Sequence, residues 1–562
     1  MPTSTEAAST GPTSTGPTST GPASTGPATT GPATTGPAAA LHGGLAGASA
    51  HRVRLASRTL EWGLAFLDRD RHLVWNPSWY DAAVPAWTVH LVPGSAWTAY
   101  GLLARRAPGD LDEAVAILGA LLDLQYDASG EPFDGTFAAF AESPEPPAGR
   151  AVIWQDYDPN WRQFLGTTFV LVLEDFAREL PGPLVHALES SIARAVHGEP
   201  EGRIALDYTN PGLMHAFLVA WHGRRAGDAS LVGRGEQLGR AIVRRFDELG
   251  AFDEHNSPTY YGIDLLALAL WHELAPTPFF SVEGRRLTRA LWTETLERYN
   301  PVLRNWCGPY TRSYGPDVTR SVTLLGLWYE AAMGEDLAPL PALPPPGEGE
   351  LHHLELHHAN DVMAGPVVAR LASVVPEHLG TASAGSPGGT ASAGSPGGDE
   401  RQLRRRVGER DLSAWITPSL MIGAESSERD WSPSGQAVPV CAHWLEAPCE
   451  ASGIATLWMP GAHVVHAETA PHVVSVERPC AAPDEPLVLA LSGATPSVDG
   501  TTLRTSAATV LVTGDVTRLE VRRVLGSGSA AEHEILVHPP PGTAAARVSL
   551  RFGLHGRDGE RA

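Results

Sequence analysis

The amino-acid sequence predicts a multidomain α and β protein: an N-terminal (α/α) toroid or barrel followed by an antiparallel β-sandwich domain. Three observations carry this. From about 43 to 336, apolar residues recur at spacings of three and four, the period of amphipathic helices. From 351 to 562 the period is two, in short β-branched runs split by Gly, Pro, Asp and Ser, the pattern of sandwich strands. Between them, across 337–350, lies "PLPALPPPGEGE", stiff enough to connect two domains.

Taken in order, residues 1–42 form a tail of Gly-Pro repeats of small residues, "TSTGPTSTGPASTGPATTGP". Such a piece buries too little apolar surface to offset its ordering entropy and is expected to be disordered. Helix follows in "DLDEAVAILGALLDLQY", with Asp110 as N-cap and Glu113 completing a capping box. Further helices are expected at about 163–180, 184–197, 210–226, 230–249, 258–274, 285–305 and 317–334. Several, such as "LLALALWHEL" and "SVTLLGLWYEAA", are apolar nearly all round, which places them inside a larger assembly. Inner and outer layers of antiparallel helices produce that pattern. Past the connector, "GPVVARLASVV", "ATLWMPGAHVVHAE", "HVVSVERP", "LVLALSG", "TVLVTGDVTRLEVRRVLG", "EHEILVHPP" and "ARVSLRFGLHG" read as strands. A nine-residue Gly/Ser repeat within 380–399 reads as a disordered loop.

Composition narrows the function. The formal charge is -22 and the chain contains no lysine. The acidity argues against a nucleic-acid groove. The missing lysine excludes a pyridoxal Schiff base and a Walker-type phosphate loop. No apolar run is long enough to span a bilayer, and no membrane partner is expected. Four cysteines without CxxC spacing indicate neither a zinc ribbon nor a redox motif. Few cysteines and no secretory ordering at the start point to the cytoplasm, with secretion if the true start lies upstream. "LHHLELHHAND" places His353, Glu355 and His357 on one strand face, but paired histidines are more often surface contacts, and no metal is expected.

Polar and aromatic residues gather before apolar helices four times. "FDEHNSPTYYGIDL" brings Glu254, His255, Asn256, Tyr260 and Tyr261 to a helix start, with Ser257 as N-cap and Pro258 in the first turn. A helix N-terminus favours an anion; the plainer alternative packs the tyrosines in the core. "NWCGPYTRSYGPDV" offers Tyr310, Arg312, Tyr314 and Asp317, where arginine favours a phenolate or grips a carboxylate. "WQDYDPNWRQFLG" offers Asp156, Asp158, Asn160, Trp161 and Arg162, and indole with carboxylate suits sugar binding. "DYTNPGLMHAFL" adds Tyr208 and Asn210, and His90 lies upstream among tryptophans. In a toroid these helix starts share one rim and converge on one cleft.

A helical toroid followed by an antiparallel β domain resembles the polysaccharide lyases of the chondroitin, hyaluronate and alginate lyase type and the heparinase II/III-like proteins. The chain order of an Asn, a His, a Tyr and an Arg is similar to theirs at Asn210, His255, Tyr260 or Tyr261, and Arg312. The resemblance implies metal-independent β-elimination on a uronic-acid-containing oligo- or polysaccharide, with no cofactor. Asn210 or Asn256, with Arg312, would bond the uronate carboxylate and stabilise the enolate-like charge. His255 or a tyrosine would take the proton, and a tyrosine, with Tyr314 beside the same turn, would protonate the leaving oxygen. The alternatives are a glycoside hydrolase with a carboxylate pair from Asp156, Asp158, Glu254 and Asp317, or a non-catalytic carbohydrate-binding protein.

Overall fold

The computed structural model describes residues 42–555 apart from 77–88, 320–322, 340–342, 344–358, 373–399, 429–435, 447–452, 462–463, 481, 483 and 525–530. The N-terminal repeat, the Gly/Ser repeat, most of the proline-rich connector and the histidine run lie outside the described residues. So does the "SVV" that follows "GPVVARLA", at 373–375.

The helical part runs α1 (Ala50–Leu64), α2 (Val92–Arg105), α3 (Asp110–Leu122), α4 (Trp161–Phe176), α5 (Gly182–His197), α6 (Thr209–Ala226), α7 (Ala229–Leu249), α8 (Tyr261–Glu273), α9 (Pro278–Arg298), α10 (Leu324–Met333), α11 (Ala359–Met363) and α12 (Gly365–Leu371). Consecutive helices pack as pairs, α2 with α3, α4 with α5, α6 with α7 and α8 with α9. The even-numbered helices also touch in series: α2 on α4, α4 on α6, α6 on α8, α8 on α10, α10 on α12, and α12 on α2. α2, α6 and α8 are buried nearly all round, whereas α7 buries a stripe of Gly235, Gly239, Ile242, Val243 and Phe246. The helices with apolar residues nearly all round are thus the most buried, as the sequence pattern predicts. α8 and α10 approach closely at Gly262, where a Cβ would lie 2.3 Å from the Leu325 nitrogen.

Three short strands, β1 (Leu67–Asp68), β2 (Leu73–Trp75) and β3 (His90–Leu91), form a small sheet, and β4 (Tyr299–Asn300) pairs with β5 (Asn305–Trp306) after α9. The C-terminal part is two antiparallel sheets. The first has the order β17-β18-β13-β10-β9-β8-β7-β6 and the second β11-β12-β19-β16-β15-β14. In chain order these strands are β6 (Arg401–Val407), β7 (Arg410–Ile416), β8 (Leu420–Ser426), β9 (Val440–Leu445), β10 (Ile454–Met459), β11 (His466–Ala470) and β12 (Val473–Pro479). They continue as β13 (Leu487–Ser492), β14 (Ser497–Asp499), β15 (Thr502–Arg504), β16 (Ala508–Gly514), β17 (Arg518–Arg523), β18 (His533–His538) and β19 (Ala545–Leu554). Ile422, Trp444, Leu457 and Leu489 of the first sheet share one core with Val474, Val510, Val548 and Phe552 of the second.

Several expectations are corrected. "GPVVARL" is the helix α12, not a strand; only Arg370 in it escapes full burial, and tertiary packing overrides the β-branched preference. α3 is capped by Gly109; the Asp110 carboxylate instead accepts from Ala107 N at 2.7 Å and pairs with Arg105. The helix read at 285–305 is α9, shifted to begin at Pro278, and the β4–β5 hairpin takes its expected end. Helix α8 begins at Tyr261 rather than Pro258, because Ser257 Oγ caps the preceding turn, accepting from Tyr260 N at 3.0 Å.

The sheets bear directly on the loop after β5. Tyr310 N donates to Val438 O at 3.0 Å and Ser313 N to Gln436 O at 2.9 Å. Gly423 in β8 makes this approach possible: a Cβ there would sit 2.0 Å from the Gly308 carbonyl oxygen. The loop that carries Arg312 is therefore held from the β side.

Candidate functional site

The N-terminal ends of α2, α4, α6 and α8 open onto one cavity of about 880 Å³. Trp97, Phe140, Trp154, Trp161, Phe164, Tyr208, Tyr260 and Tyr314 supply aromatic walls. Asp158, Asp207, Asp253, Glu254 and Asp361 bring carboxyl groups, and Asn160, Asn210, Arg203, Arg312 and Gln436 add further polar groups. Aromatic surface with a few convergent polar groups is the composition of a small-molecule site.

Arg312 is the hub. Its Nη1 donates to Glu254 Oε1 at 2.5 Å and its Nε to Gln436 Oε1 at 2.9 Å. Its guanidinium lies 3.9 Å from the Tyr260 ring centre and 5.4 Å from that of Tyr208, so two rings flank the cation. Glu254 is 2% exposed and also accepts from Asn210 Nδ2 at 3.0 and 3.1 Å and from Asn210 N at 3.2 Å. Burial pushes its carboxyl above the ordinary value while Arg312 and Asn210 oppose. Tyr260 and Tyr314 meet hydroxyl to hydroxyl at 2.9 Å. Burial raises Tyr260 well above the ordinary phenol value despite Arg312, and raises Tyr208 to about 12.

Asp158 stands apart from this paired cluster. Its carboxylate accepts from Asn160 N at 2.8 Å. Burial pushes it up to about 6, against that hydrogen bond and the more distant Arg203 and Arg162. Asn160 in turn donates to the Tyr208 hydroxyl at 2.6 Å and accepts from Arg203 Nη1 at 2.9 Å. Arg203 is itself paired with Glu199.

Nine residues singled out from the sequence thus border the cavity: Asp158, Asn160, Trp161, Tyr208, Asn210, Glu254, Tyr260, Arg312 and Tyr314. The others do not, and each is held elsewhere. His255 is buried, its Nδ1 2.8 Å from Glu294 Oε1, and Tyr261 donates its hydroxyl to the same Glu294. Burial lowers His255 to about 4. Burial also opposes ionisation of Glu294, but His255, Arg405 and Tyr261 together bring it down to about 2. These two directions compete, since a neutral imidazole supplies no charge; Arg405, 2.9 Å away, is the cation that keeps Glu294 ionised. Asn256, at φ +51°, donates Nδ2 to the carbonyls of Cys307 and Pro309 at 2.8 Å each. Tyr310 donates to Trp306 O and meets His443 Nε2 at 3.0 Å. Asp317 accepts from Thr319 N at 3.0 Å. Arg162 is fully buried on the carbonyls of Pro132, Asp134 and Pro159. Asp156 holds Val152 N at 2.7 Å. His90 sits between Glu142, at 2.6 Å, and Asp68, at 3.1 Å, and stacks on Trp75.

Residues missed from the sequence come from places without a pattern. Gln436 reaches in from the β part, and Asp361 lies in the short α11. Asp207 opens the "DYTNPGLMHAFL" stretch itself and Arg203 lies just before it, so proximity to Tyr208 was the available signal. Among the described residues no group of three His, Cys, Asp or Glu is arranged to hold a metal ion, and no helix is long and apolar enough to cross a membrane.

The chain belongs to the family described as "Domain of unknown function (DUF8769)", whose model matches residues 54–373, more than half of its length. The matched span begins within α1 and ends just past α12, and so takes in the helix starts that border the cavity. No curated protein matches the chain.

Proposed function

We propose that this protein is a carbohydrate-active enzyme whose cavity opens at the rim of an (α/α) toroid backed by a β-sandwich, and that it acts as a glycoside hydrolase on a neutral sugar. The serial contacts of α2, α4, α6, α8, α10 and α12, returning to α2, support the toroid. The observation that carries the chemistry is Asp158: a carboxyl group raised to about 6 on an aromatic wall, and so still partly protonated near neutral pH, as a general acid must be. Among the described residues, the two arginines lining the cavity are ion-paired, Arg312 with Glu254 and Arg203 with Glu199. A uronate carboxylate would have to compete with those partners, whereas a neutral ring needs aromatic faces and hydrogen bonds.

In this reading Asp158 donates its proton to the glycosidic oxygen, which keeps the bonding electrons as the bond to the anomeric carbon breaks. Water adds to that carbon and loses its proton to a second wall carboxylate, Asp207 or Asp361. The buried Glu254–Arg312–Asn210 cluster holds Tyr260 and Tyr208 as fixed walls. Elimination from a uronate, the expectation raised by resemblance, draws support from the Tyr260–Tyr314 hydroxyl pair beside Arg312.

One assay separates them. Neutral oligosaccharides and polyuronates are offered in parallel, following reducing ends and the ultraviolet absorbance of unsaturated uronate. The hydrolase reading expects reducing ends without absorbance, and a loss on the order of 10²–10⁴ in turnover for Asp158→Asn. New absorbance abolished by Tyr260→Phe and kept in Asp158→Asn hands the reaction to elimination.

A further inference from the structure

The mouth of the cavity carries an indole that the core does not need. Trp154 lines the cavity and is 60% exposed. Its neighbours Val152 and Ile153, and Leu206 between the wall residues Ala205 and Asp207, are exposed as well. Large apolar side chains left in water beside a pocket mark a contact surface.

The backbone is built to keep the indole there. Trp154 has φ +68°, a left-handed conformation that costs a bulky L-residue free energy. The loop is nonetheless pinned on both sides. The Asp156 carboxylate accepts from Val152 N at 2.7 Å, and Trp154 N donates to Tyr157 O at 3.0 Å. Ile153 pairs with Tyr157, which is 5% exposed and packs against Phe133. Glycine would satisfy this turn without strain. A strained tryptophan facing water beside aromatic walls calls for a reason outside folding.

We infer that Trp154 is a stacking platform for a sugar unit at the mouth, so that the substrate is an oligosaccharide that extends from the cavity onto the indole. The inference rests on the reading of the cavity as a sugar site. Its chemistry is specific. The apolar face of a pyranose covers an indole face, while the ring hydroxyls stay in water or meet the rim. One such stack is worth about 3- to 10-fold in affinity.

The test is the dependence of affinity on chain length, measured by calorimetry on the full chain. Series from monosaccharide to pentasaccharide are used for β-1,4-glucan, β-1,4-mannan, β-1,4-xylan and α-1,4-glucan. In the wild type one series gains about 3- to 10-fold on going from the length that fills the cavity to the next longer one. Trp154→Ala and Trp154→Gly lose that gain, and Trp154→Phe keeps most of it. Trp154→Gly is also expected to melt no lower than the wild type, because the strain is relieved, which separates a lost platform from a damaged fold. The same length gain in Trp154→Ala as in the wild type overturns the platform and leaves the sugar site standing. No binding of any series by the wild type overturns the sugar site itself. Concentration-dependent association that Trp154→Ala abolishes, with no length gain in any series, overturns the platform in favour of a protein interface.

Discussion

Replacing Asp158 by Asn tests the electrostatics of the cavity without any substrate. The folded carboxyl sits at about 6 against an ordinary 3.8, a rise of roughly two units at about 1.4 kcal/mol each. The ceiling on the effect is therefore about 3 kcal/mol, and solvent at a half-buried wall reduces it to about 1–2 kcal/mol. The sign follows from proton linkage. Because the folded value is raised, the native state holds the proton more tightly than the unfolded chain. The wild type loses stability as pH rises from about 4 to about 6, and the loss persists above. Asparagine does not titrate, and its oxygen can still accept from Asn160 N. Asp158→Asn should thus match the wild type near pH 4 and exceed it by about 1–2 kcal/mol at pH 8. Urea denaturation of both proteins at each pH measures the difference, in which all other titrations cancel. A difference that is flat across this range, or a wild type that is the more stable at pH 8, would refute the account of Asp158 as a strained acid.

Three further outcomes follow from the geometry. Arg312→Met strands Glu254 in a 2% exposed site and should cost about 3–5 kcal/mol in urea denaturation, most of which Glu254→Gln on the same background restores, since both partners are then neutral. Tyr261→Phe deprives Glu294 of a buried donor and should lower stability by about 1–3 kcal/mol while leaving sugar turnover intact, the reverse of what Tyr260→Phe does if elimination is the reaction. Gly423→Ala places a Cβ against the Gly308 carbonyl, forces the two backbones apart, and should lower stability by about 1–3 kcal/mol and weaken sugar affinity, because the displaced loop leads to Arg312.

Periodicity carried most of the fold. The helices with wide apolar faces and the strands after 450 were readable because their burial pattern is written in residue type. α12 was not, since Val367 and Val368 favour strands and only the surrounding helices make them helical. The start of α9 was marked by Pro278 after Thr277, a signal outweighed by the apolar spacing further on. For the site, residue type identified the right clusters and could not say which members face inward. Asp158, Asn160 and Trp161 reach the cavity while Asp156 and Arg162 of the same stretch bind backbone. Gln436 was beyond reach, because it joins Arg312 only when β strands dock on the loop after β5.

The stretch Phe252–Leu265 shows how one segment serves two walls. Asn256 turns the chain through a left-handed conformation, at φ +51°, and its side chain ties that turn to the 307–309 backbone. Adjacent residues consequently face opposite ways. Glu254 points to Arg312 and the cavity, whereas His255 points to Glu294 and, through it, to Arg405 of β6. The same division repeats six residues on, with Tyr260 on the cavity and Tyr261 on Glu294. His255 and Tyr261 therefore bind the helical part to the sheets through Glu294 and Arg405, while Asp253, Glu254 and Tyr260 border the pocket. The two roles are mechanically joined: the bonds that hold Asn256 and His255 in place also fix where Glu254 can meet Arg312. A change on the β side, at Arg405 or Gly423, should accordingly be felt in the cavity although neither residue borders it.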